Sequence, residues 1–452
     1  MKKKTDIIKI FCLSDKYNKW DKYLKNRQID YLKATGFSGV KGELVPLSDE
    51  KGNFYAYAFG IGHKENNSPL ILGLASAKLN SSKYQLEGEI ENPTLSALAF
   101  NLGAYSFDEY KKSNKKIELE YSKTIDVSEV KRLTKAAFIA RDLINAPPNI
   151  LGPNGFEEEL QKFAKQNKMQ IKIIAGDELL KQNFPMIHAV GRASSQAPRL
   201  LDLSWGKNSD PKVTLVGKGV TFDSGGLDIK HAAGMMLMKK DMGGAANVLG
   251  LAHAIIDAKL KVNLRVLLPI VENAISGNAF RPGDILPSRL GLNVEIGNTD
   301  AEGRLILADA LALADEQSPE LIIDMATLTG AARIALGPDL PPLYCDDDEL
   351  VQEMLKAGKY WGDELWHMPL YQPYDEKLNS KIADINHITP SFPFAGSITA
   401  ALFLKRFVSR AKSYAHLDIF AWSPSGLAGR PQGGTDHGIR ATYQVLKDRY
   451  GA

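Results

Sequence analysis

The sequence predicts a two-domain α/β protein. A smaller amino-terminal α/β domain precedes a larger domain whose mostly parallel or mixed sheet is sandwiched by helices. Three observations carry this reading. The chain has 452 residues, more than one average domain. From Arg199 onward, apolar runs of strand length alternate with helical patterns. Loops rich in glycine and acidic residues follow several of those runs, at the carboxyl ends where open α/β sheets collect ligands.

In chain order, residues up to about Asp126 alternate short β-like runs with polar turns: Ile7–Leu13, Phe54–Ile61 and Leu70–Leu74, with a helix near Pro93–Tyr105. Val127–Asn145 reads as a helix. Val130, Leu133, Ala137, Ala140 and Ile144 recur every three or four residues, and Pro147-Pro148 stop it. We place an amino-terminal domain at 1–126, a linker helix at 127–150 and the larger domain at 151–452. In that domain Phe156–Gln166 is a helix and Gln170–Ile174 a strand. Leu200–Leu203, Val213–Val216, Leu264–Val271 and Leu321–Met325 are strands, and Gly243–Ala258 and Arg304–Asp315 are helices. The last quarter holds a helix at Ser397–Ala411, a strand near His416–Phe420, a loop rich in Gly and Pro at Ser423–Gly434, and a final helix at Gly438–Tyr450.

Composition narrows the function classes. With 44% hydrophobic and 24% charged residues the chain can bury an ordinary core. A net charge of +3 does not demand a polyanionic partner, and the lysines at 111, 112, 115 and 116 read as a solvated face. Cys12 and Cys345 are the only cysteines and lie far apart in sequence, which fits a reducing compartment. The start Met1-Lys2-Lys3-Lys4 is basic, but Lys9 interrupts the apolar stretch behind it and no small-residue cleavage site follows. No apolar run approaches the roughly 18 residues of a membrane span. The chain therefore reads as a cytoplasmic protein without a membrane partner. It has no His-Glu-x-x-His helix, no Gly-x-x-x-x-Gly-Lys-Ser/Thr phosphate loop and no Gly-x-Ser-x-Gly elbow.

The acidic loops hold the chemistry. Asn298-Thr299-Asp300-Ala301-Glu302-Gly303-Arg304-Leu305 places two carboxylates two residues apart in a tight turn at a helix start, where free N–H groups favour anions. Helix capping alone would also account for them. Upstream, Gly217-Lys218-Gly219-Val220-Thr221-Phe222-Asp223-Ser224-Gly225-Gly226 follows a strand, and Lys230 and Met238-Lys239-Lys240-Asp241-Met242-Gly243-Gly244 come next. Asp223, Asp241, Asp300 and Glu302 are four candidate hard oxygen ligands. Brought together without counter-ions they would repel one another, so divalent cations are the natural occupants.

These three motifs, in this order and spacing, closely resemble the cytosolic leucyl aminopeptidases, two-metal peptidases of family M17 also called aminopeptidase A in bacteria. The resemblance covers roughly the last two-thirds of the chain. It implies that Asp223 and Glu302 bridge two metal ions, zinc or manganese. Asp300 would complete one metal site, and Lys218 and Asp241 the more exchangeable one. Lys230 would stabilise an oxyanion, and Arg304 would hold a bicarbonate that shuttles a proton. Met238, Thr327, Leu328 and Gly330 match the pocket for the first side chain, whose apolar lining favours leucine-like or methionine-like residues. The resemblance further implies peptide substrates with a free amino terminus and a homohexamer with its sites facing an interior cavity. His231 stands where many relatives carry proline or a small residue and reads as an outer or surface histidine. The segment Ser391–Ser397 also departs from animal relatives and is a candidate for a changed pocket wall. A DNA-binding accessory role is the alternative from another class, and the small net charge makes nucleic acid a poor partner.

Overall fold

The computed structural model describes residues 7–63, 68–113 and 115–451, so the basic start Met1–Asp6 lies outside them. The chain divides into two units. The first takes residues up to Lys135 together with Tyr360–Gly362 and Ser423–Gly433, and the second takes Ala136–Lys359, Asp363–Trp422 and the carboxy-terminal end.

In the first unit, β1 (Ile8–Ser14), α1 (Asn26–Ala34), β2 (Leu44–Ser48), β3 (Phe54–Gly62), α2 (Gly73–Lys78), β4 (Ser82–Gly88), α3 (Pro93–Gly103) and β5 (Ile117–Leu119) form an α/β layer. Its sheet runs β2-β3-β1-β4-β5, with β2 antiparallel and the rest parallel. The run Leu70–Leu74, read as β-like, is instead a turn that leads into α2. Pro69 precedes it, and a short apolar run has no period that tells a strand from a buried turn. At the crossing of α2 and α3, a Cβ on Gly103 would stand 2.1 Å from the Gly73 carbonyl oxygen, so two glycines allow the approach.

The helix α4 (Val127–Asn145) contains the point of division. The second unit follows: α5 (Pro153–Asn167), β6 (Gln170–Ala175), α6 (Glu178–Lys181), α7 (Pro185–Gly191), β7 (Arg199–Trp205), β8 (Lys212–Gly217), β9 (Gly219–Asp223), α8 (Ala232–Met235), α9 (Gly243–Asp257), β10 (Asn263–Asn273), β11 (Ile285–Pro287), β12 (Asn293–Glu295), α10 (Glu302–Asp315), β13 (Leu321–Ala326), α11 (Gly330–Leu336), β14 (Pro342–Cys345), α12 (Asp348–Trp361), β15 (Trp366–His367), β16 (Ile385–Asn386), α13 (Gly396–Lys405), β17 (Ser413–Asp418) and α14 (Ile439–Tyr450). The main sheet runs β15-β14-β17-β13-β8-β10-β7-β6, with β9 beside β10. Its centre, β17-β13-β8-β10, is parallel, and β14, β7 and β6 join antiparallel. The sheet is therefore mixed around a parallel middle. The central strands are buried almost throughout, as strands covered on both faces must be. Residues of α7 and α10 pack with Val216, Leu267 and Ile322 in one core, while α9 lies against β8 and β13 outside that core.

One helix is shorter than its sequence pattern. The helix read at Ser397–Ala411 ends at Lys405. The Asp315 carboxylate, at the end of α10, accepts N–H bonds from Ser409, Arg410 and Ala411, and this diverts the backbone from helical pairing. No helix among the described residues is long and apolar enough to cross a membrane.

The end of β8 is locked to its neighbours before any functional group is considered. Lys218 N–H donates to Met325 O at 3.0 Å, and Ala245 N–H, in the first turn of α9, donates to Lys218 O at 2.9 Å. A Cβ on Gly244 would stand 2.0 Å from Met325 O and 2.9 Å from Lys218 N, both backbone atoms. Gly244→Ala must push α9 off the strand ends. We expect it to lower stability by about 1–3 kcal/mol or more, read from urea unfolding; an unchanged midpoint would show that this junction yields freely.

Candidate active site

The loops at the ends of β8, β9 and β13 meet the turn that opens α10. Asp223 is the last residue of β9, paired across to Asn273 of β10. Asn273 Nδ2 donates to Asp223 Oδ1 at 2.9 Å and to Thr299 O at 3.1 Å, which joins the strand end to the acidic turn. Gly225 and Gly226 have φ of +89° and +66°, a conformation glycine adopts without strain, and Gly225 N–H donates back to Asp223 Oδ1 at 2.9 Å. A second tie is reciprocal: Asp228 N–H donates to Thr299 Oγ1 at 2.8 Å, and Thr299 N–H donates to Asp228 Oδ2 at 2.7 Å. Asn298 caps the turn by accepting from Asp300 N–H at 2.8 Å, and α10 begins at Glu302. The helix-start reading of this stretch holds, and α10 starts two residues ahead of Arg304.

The folded chain gathers the acidic side chains that the sequence separates. Asp223, Asp300 and Glu302 each offer a carboxylate oxygen, and the three oxygens lie within 4.8 Å of one another. Lys230 Nζ is 2.8 Å from Asp223 Oδ2 and pairs also with Asp300 Oδ1. Lys218 Nζ stands 2.7 Å from Asp241 Oδ2 and 2.9 Å from Glu302 Oε1, and donates to Thr327 O at 2.9 Å. Asp241 thus enters the cluster through Lys218. Its other oxygen and its carbonyl accept from Thr327 Oγ1, at 2.8 and 2.9 Å. Asp223, Asp241, Glu302 and Lys218 are buried, whereas the Asp300 side chain is 33% exposed.

Burial and then the Asp223 charge push the Glu302 carboxyl up to about 8, and the same two causes push Asp300 up to about 6. Burial works against the ammonium groups of Lys218 and Lys230, but the surrounding carboxylates outweigh it and raise both above the ordinary lysine value. Beyond the Lys218 ion pairs, Asp241 Oδ2 and Glu302 Oε1 accept no hydrogen bond among the described residues, although both are buried. Four carboxylates thus face two lysines, with lone pairs left uncommitted. Hard oxygen donors in that arrangement fit divalent cations.

A cavity of ≈ 420 Å³ opens onto this cluster. Lys218, Asp223, Lys230, Asp241 and Asp300 line it, as do Met238, Thr327, Leu328 and Gly330. Glu302 is buried and is not among the lining residues. Arg304 is buried away from the cavity wall; Nη1 donates to His387 O at 2.6 Å, and Nε has no hydrogen-bond partner among the described residues. Burial lowers its guanidinium to about 10. His231 is exposed on the cavity wall. The segment Ser391–Ser397 does not line the cavity; its Ser397 hydroxyl donates to Asp418 Oδ2 at 3.1 Å.

Several contributors carried no local sequence signal. Asp418, at the end of β17, accepts Leu328 N–H and Thr329 N–H at 3.1 Å and the Thr329 hydroxyl at 2.6 Å, and so holds the loop after β13. Buried His387 packs behind the acidic turn. Its Nε2 lies 2.8 Å from Asn298 O, and its Nδ1 lies 3.2 Å from Glu295 O and 3.2 Å from the Gly297 N–H. Lys240, Arg333 and Phe420 line the cavity as well. Only their adjacency to Asp241, to Gly330 and to β17 could have singled them out.

The site's geometry coincides with matches to known proteins. The family model for the cytosol aminopeptidase family, catalytic domain, matches residues 138–443, and that for the M17 aminopeptidase N-terminal domain matches residues 9–119. The chain belongs to the cytosol aminopeptidase family. This aminopeptidase is therefore a peptidase, a hydrolase. It is 42% identical over 366 residues to a probable cytosol aminopeptidase of Roseiflexus castenholzii, covering 77% of this chain and 74% of that protein. It is 40% identical to one from Pseudomonas fluorescens, over 84% of this chain and 79% of the relative. The crystal structure of cytosol aminopeptidase from Coxiella burnetii superposes with a TM-score of 0.92 at 43% identity, covering 100% of this chain and 98% of that one. The bottromycin maturation enzyme BotP in complex with Mn superposes with a TM-score of 0.89 at 29% identity, covering 98% of this chain and 99% of that one.

The His387 ring gives a pH test away from the carboxylates. Burial, and then the Arg304 charge, lower its pKa to about 3 from an ordinary 6.5. Unfolded, it takes up a proton below about 6.5; folded, it does not until about 3. Its contribution to stability is whole above pH 6.5 and is lost as pH falls toward 3. Nitrogen-edited NMR at pH 5 should show a neutral ring; an imidazolium at that pH would contradict the packing described.

Proposed function

We propose that the chain is a metal-dependent leucyl-type aminopeptidase that releases the first residue from peptides with a free amino terminus. The observation that carries this reading is the convergence of Asp223, Asp300 and Glu302 to within 4.8 Å, with Lys218 joining Asp241 to them, at the floor of one cavity. In this reading Asp223 and Glu302 would hold two divalent ions, zinc or manganese, between them. Asp300, with its backbone carbonyl, would complete one site, and Lys218 and Asp241 the other. When bound, two such ions supply Lewis acidity toward the scissile carbonyl and lower the pKa of a water. Lys218 can donate to a metal only as a neutral amine. Divalent charge beside it supplies the positive charge that otherwise falls to its ammonium.

The other residues act around that centre. Lys230, held by Asp223 and Asp300, lies at the cavity wall where its ammonium can meet a developing oxyanion. Arg304, whose Nε has no hydrogen-bond partner among the described residues, is the proposed seat of a bicarbonate that relays a proton. Met238, Thr327, Leu328 and Gly330 receive the first side chain. The names of the relatives support a cytoplasmic setting, and we extend the family expectation of a homohexamer to this chain. We also propose the limits 1–126, 127–150 and 151–452 for the amino-terminal domain, linker helix and peptidase domain. A DNA-binding accessory role gains little from the lysine run. Lys115 Nζ donates to Ala77 O at 2.8 Å, and Lys116 pairs with Glu118 at 2.9 Å.

Two experiments test the proposal. Metal-stripped protein should fail to hydrolyse amino-acid amides and recover with zinc, manganese or cobalt; turnover that ignores chelation would end the metal mechanism. Glu302→Ala should abolish calorimetric metal binding together with turnover, whereas Lys230→Met should keep the metal and lose about 10²–10³ in kcat. A Glu302→Ala protein that binds metal normally would remove the bridging assignment.

A further inference from the structure

The cavity wall carries positive charge that the acidic cluster does not use. Lys240 is only 5% exposed and lines the cavity, and its side chain makes no hydrogen bond or ion pair among the described residues. Its Nζ lies 4.8 Å from the centre of the Phe420 ring. The Arg333 guanidinium lies 5.0 Å from that same ring, also on the cavity wall and also without an ion pair among the described residues. Their places in the chain matter. Lys240 follows Met238 by two residues on the helical turn Met238–Met242, and Arg333 follows Gly330 by three on α11. Both cations therefore stand on the elements proposed to hold the first side chain of the substrate.

The neighbouring acids are already occupied. Asp241, next to Lys240, faces Lys218 with Oδ2 and Thr327 with Oδ1. Asp418 accepts two backbone N–H groups and the hydroxyls of Thr329 and Ser397. A buried ammonium without a partner is costly, and an aromatic face offsets only part of that cost. What remains is complementarity to an anion entering the cavity.

Resting on the aminopeptidase reading above, we propose that this pocket recognises substrates whose first residue bears a side-chain carboxylate, glutamate or aspartate, through Lys240 and Arg333. The pocket is then amphipathic. Met238 and the Phe420 ring contact the methylene part of the side chain, and the two cations contact its end. This departs from the leucine-like preference that an apolar lining would give.

The test uses the full-length, metal-loaded protein and amino-acid amides, which have no terminal carboxylate. Glu-amide should be turned over with kcat/KM about tenfold or more above its neutral isostere Gln-amide, the scale of one charge-assisted hydrogen bond. Lys240→Met and Arg333→Met should each reduce that Glu/Gln ratio about tenfold, chiefly through KM. Free glutamate should inhibit hydrolysis of Leu-amide more strongly than free glutamine does, a measurement that needs no variant. If Leu-amide is hydrolysed while Glu- and Gln-amide are treated alike, the inference fails and the peptidase reading stands. If the ratio survives in the Lys240→Met, Arg333→Met double variant, the residue assignment is overturned. If the two variants impair Leu-Gly but not Glu-amide, the cations serve the peptide's terminal carboxylate and the inference fails. If no amide is hydrolysed, both readings fall.

Discussion

Three carboxylates within 4.8 Å of one another, with a fourth joined to them through Lys218, impose the constraint on which the rest of the site depends. Like charges at such distances destabilise one another, and burial removes the water that would screen them. In this protein Lys218 and Lys230 stand between the acids as counter-charges, each spanning a pair drawn from different elements. Asp223 comes from β9, Asp241 from the turn before α9, and Asp300 and Glu302 from the opening of α10. The surrounding fold reads as a device for keeping those elements together against their own repulsion. The ties between Asn273, Asp228 and the acidic turn, the lock of Lys218 to β13 and α9, and the His387 brace all serve that end.

Two kinds of side chain share the cavity but obey different rules. On the floor, acids outnumber bases, which favours cations. On the wall beside Phe420, Lys240 and Arg333 are cationic and the nearby acids are committed elsewhere, which favours an anionic group. The two regions are separated by Asp241, whose oxygens face Lys218 and Thr327. A substrate that offers a free amine toward the floor and a carboxylate toward the wall matches both fields at once.

Much of this was legible before folding. Strand and helix alternation after Arg199 gave the mixed α/β sheet, because buried parallel strands read as continuous apolar runs. The three acidic motifs were legible because Gly-rich loops at strand ends have few structural reasons to carry that many charges. The failures have physical causes. The run Leu70–Leu74 is apolar yet turns into α2, since five residues carry no decisive period. Ser397–Ala411 has helical spacing throughout, but the Asp315 carboxylate, distant in sequence, takes the N–H groups of its last turn. Asp418, Asn273 and His387 escaped notice because each acts through pairing across strands or loops, which leaves no local pattern. Lys240 sat in plain view beside Asp241; only its burial, with no ion pair or side-chain hydrogen bond among the described residues, gives it meaning.

The central claim is that the acidic floor grips two divalent ions together. Anomalous X-ray diffraction from crystals grown with manganese tests it most directly. The account predicts two peaks about 4 Å apart, one bounded by Asp223, Asp300 and Glu302 and the other by Lys218, Asp241 and Glu302. A single peak, or ions bound away from Glu302, would contradict it.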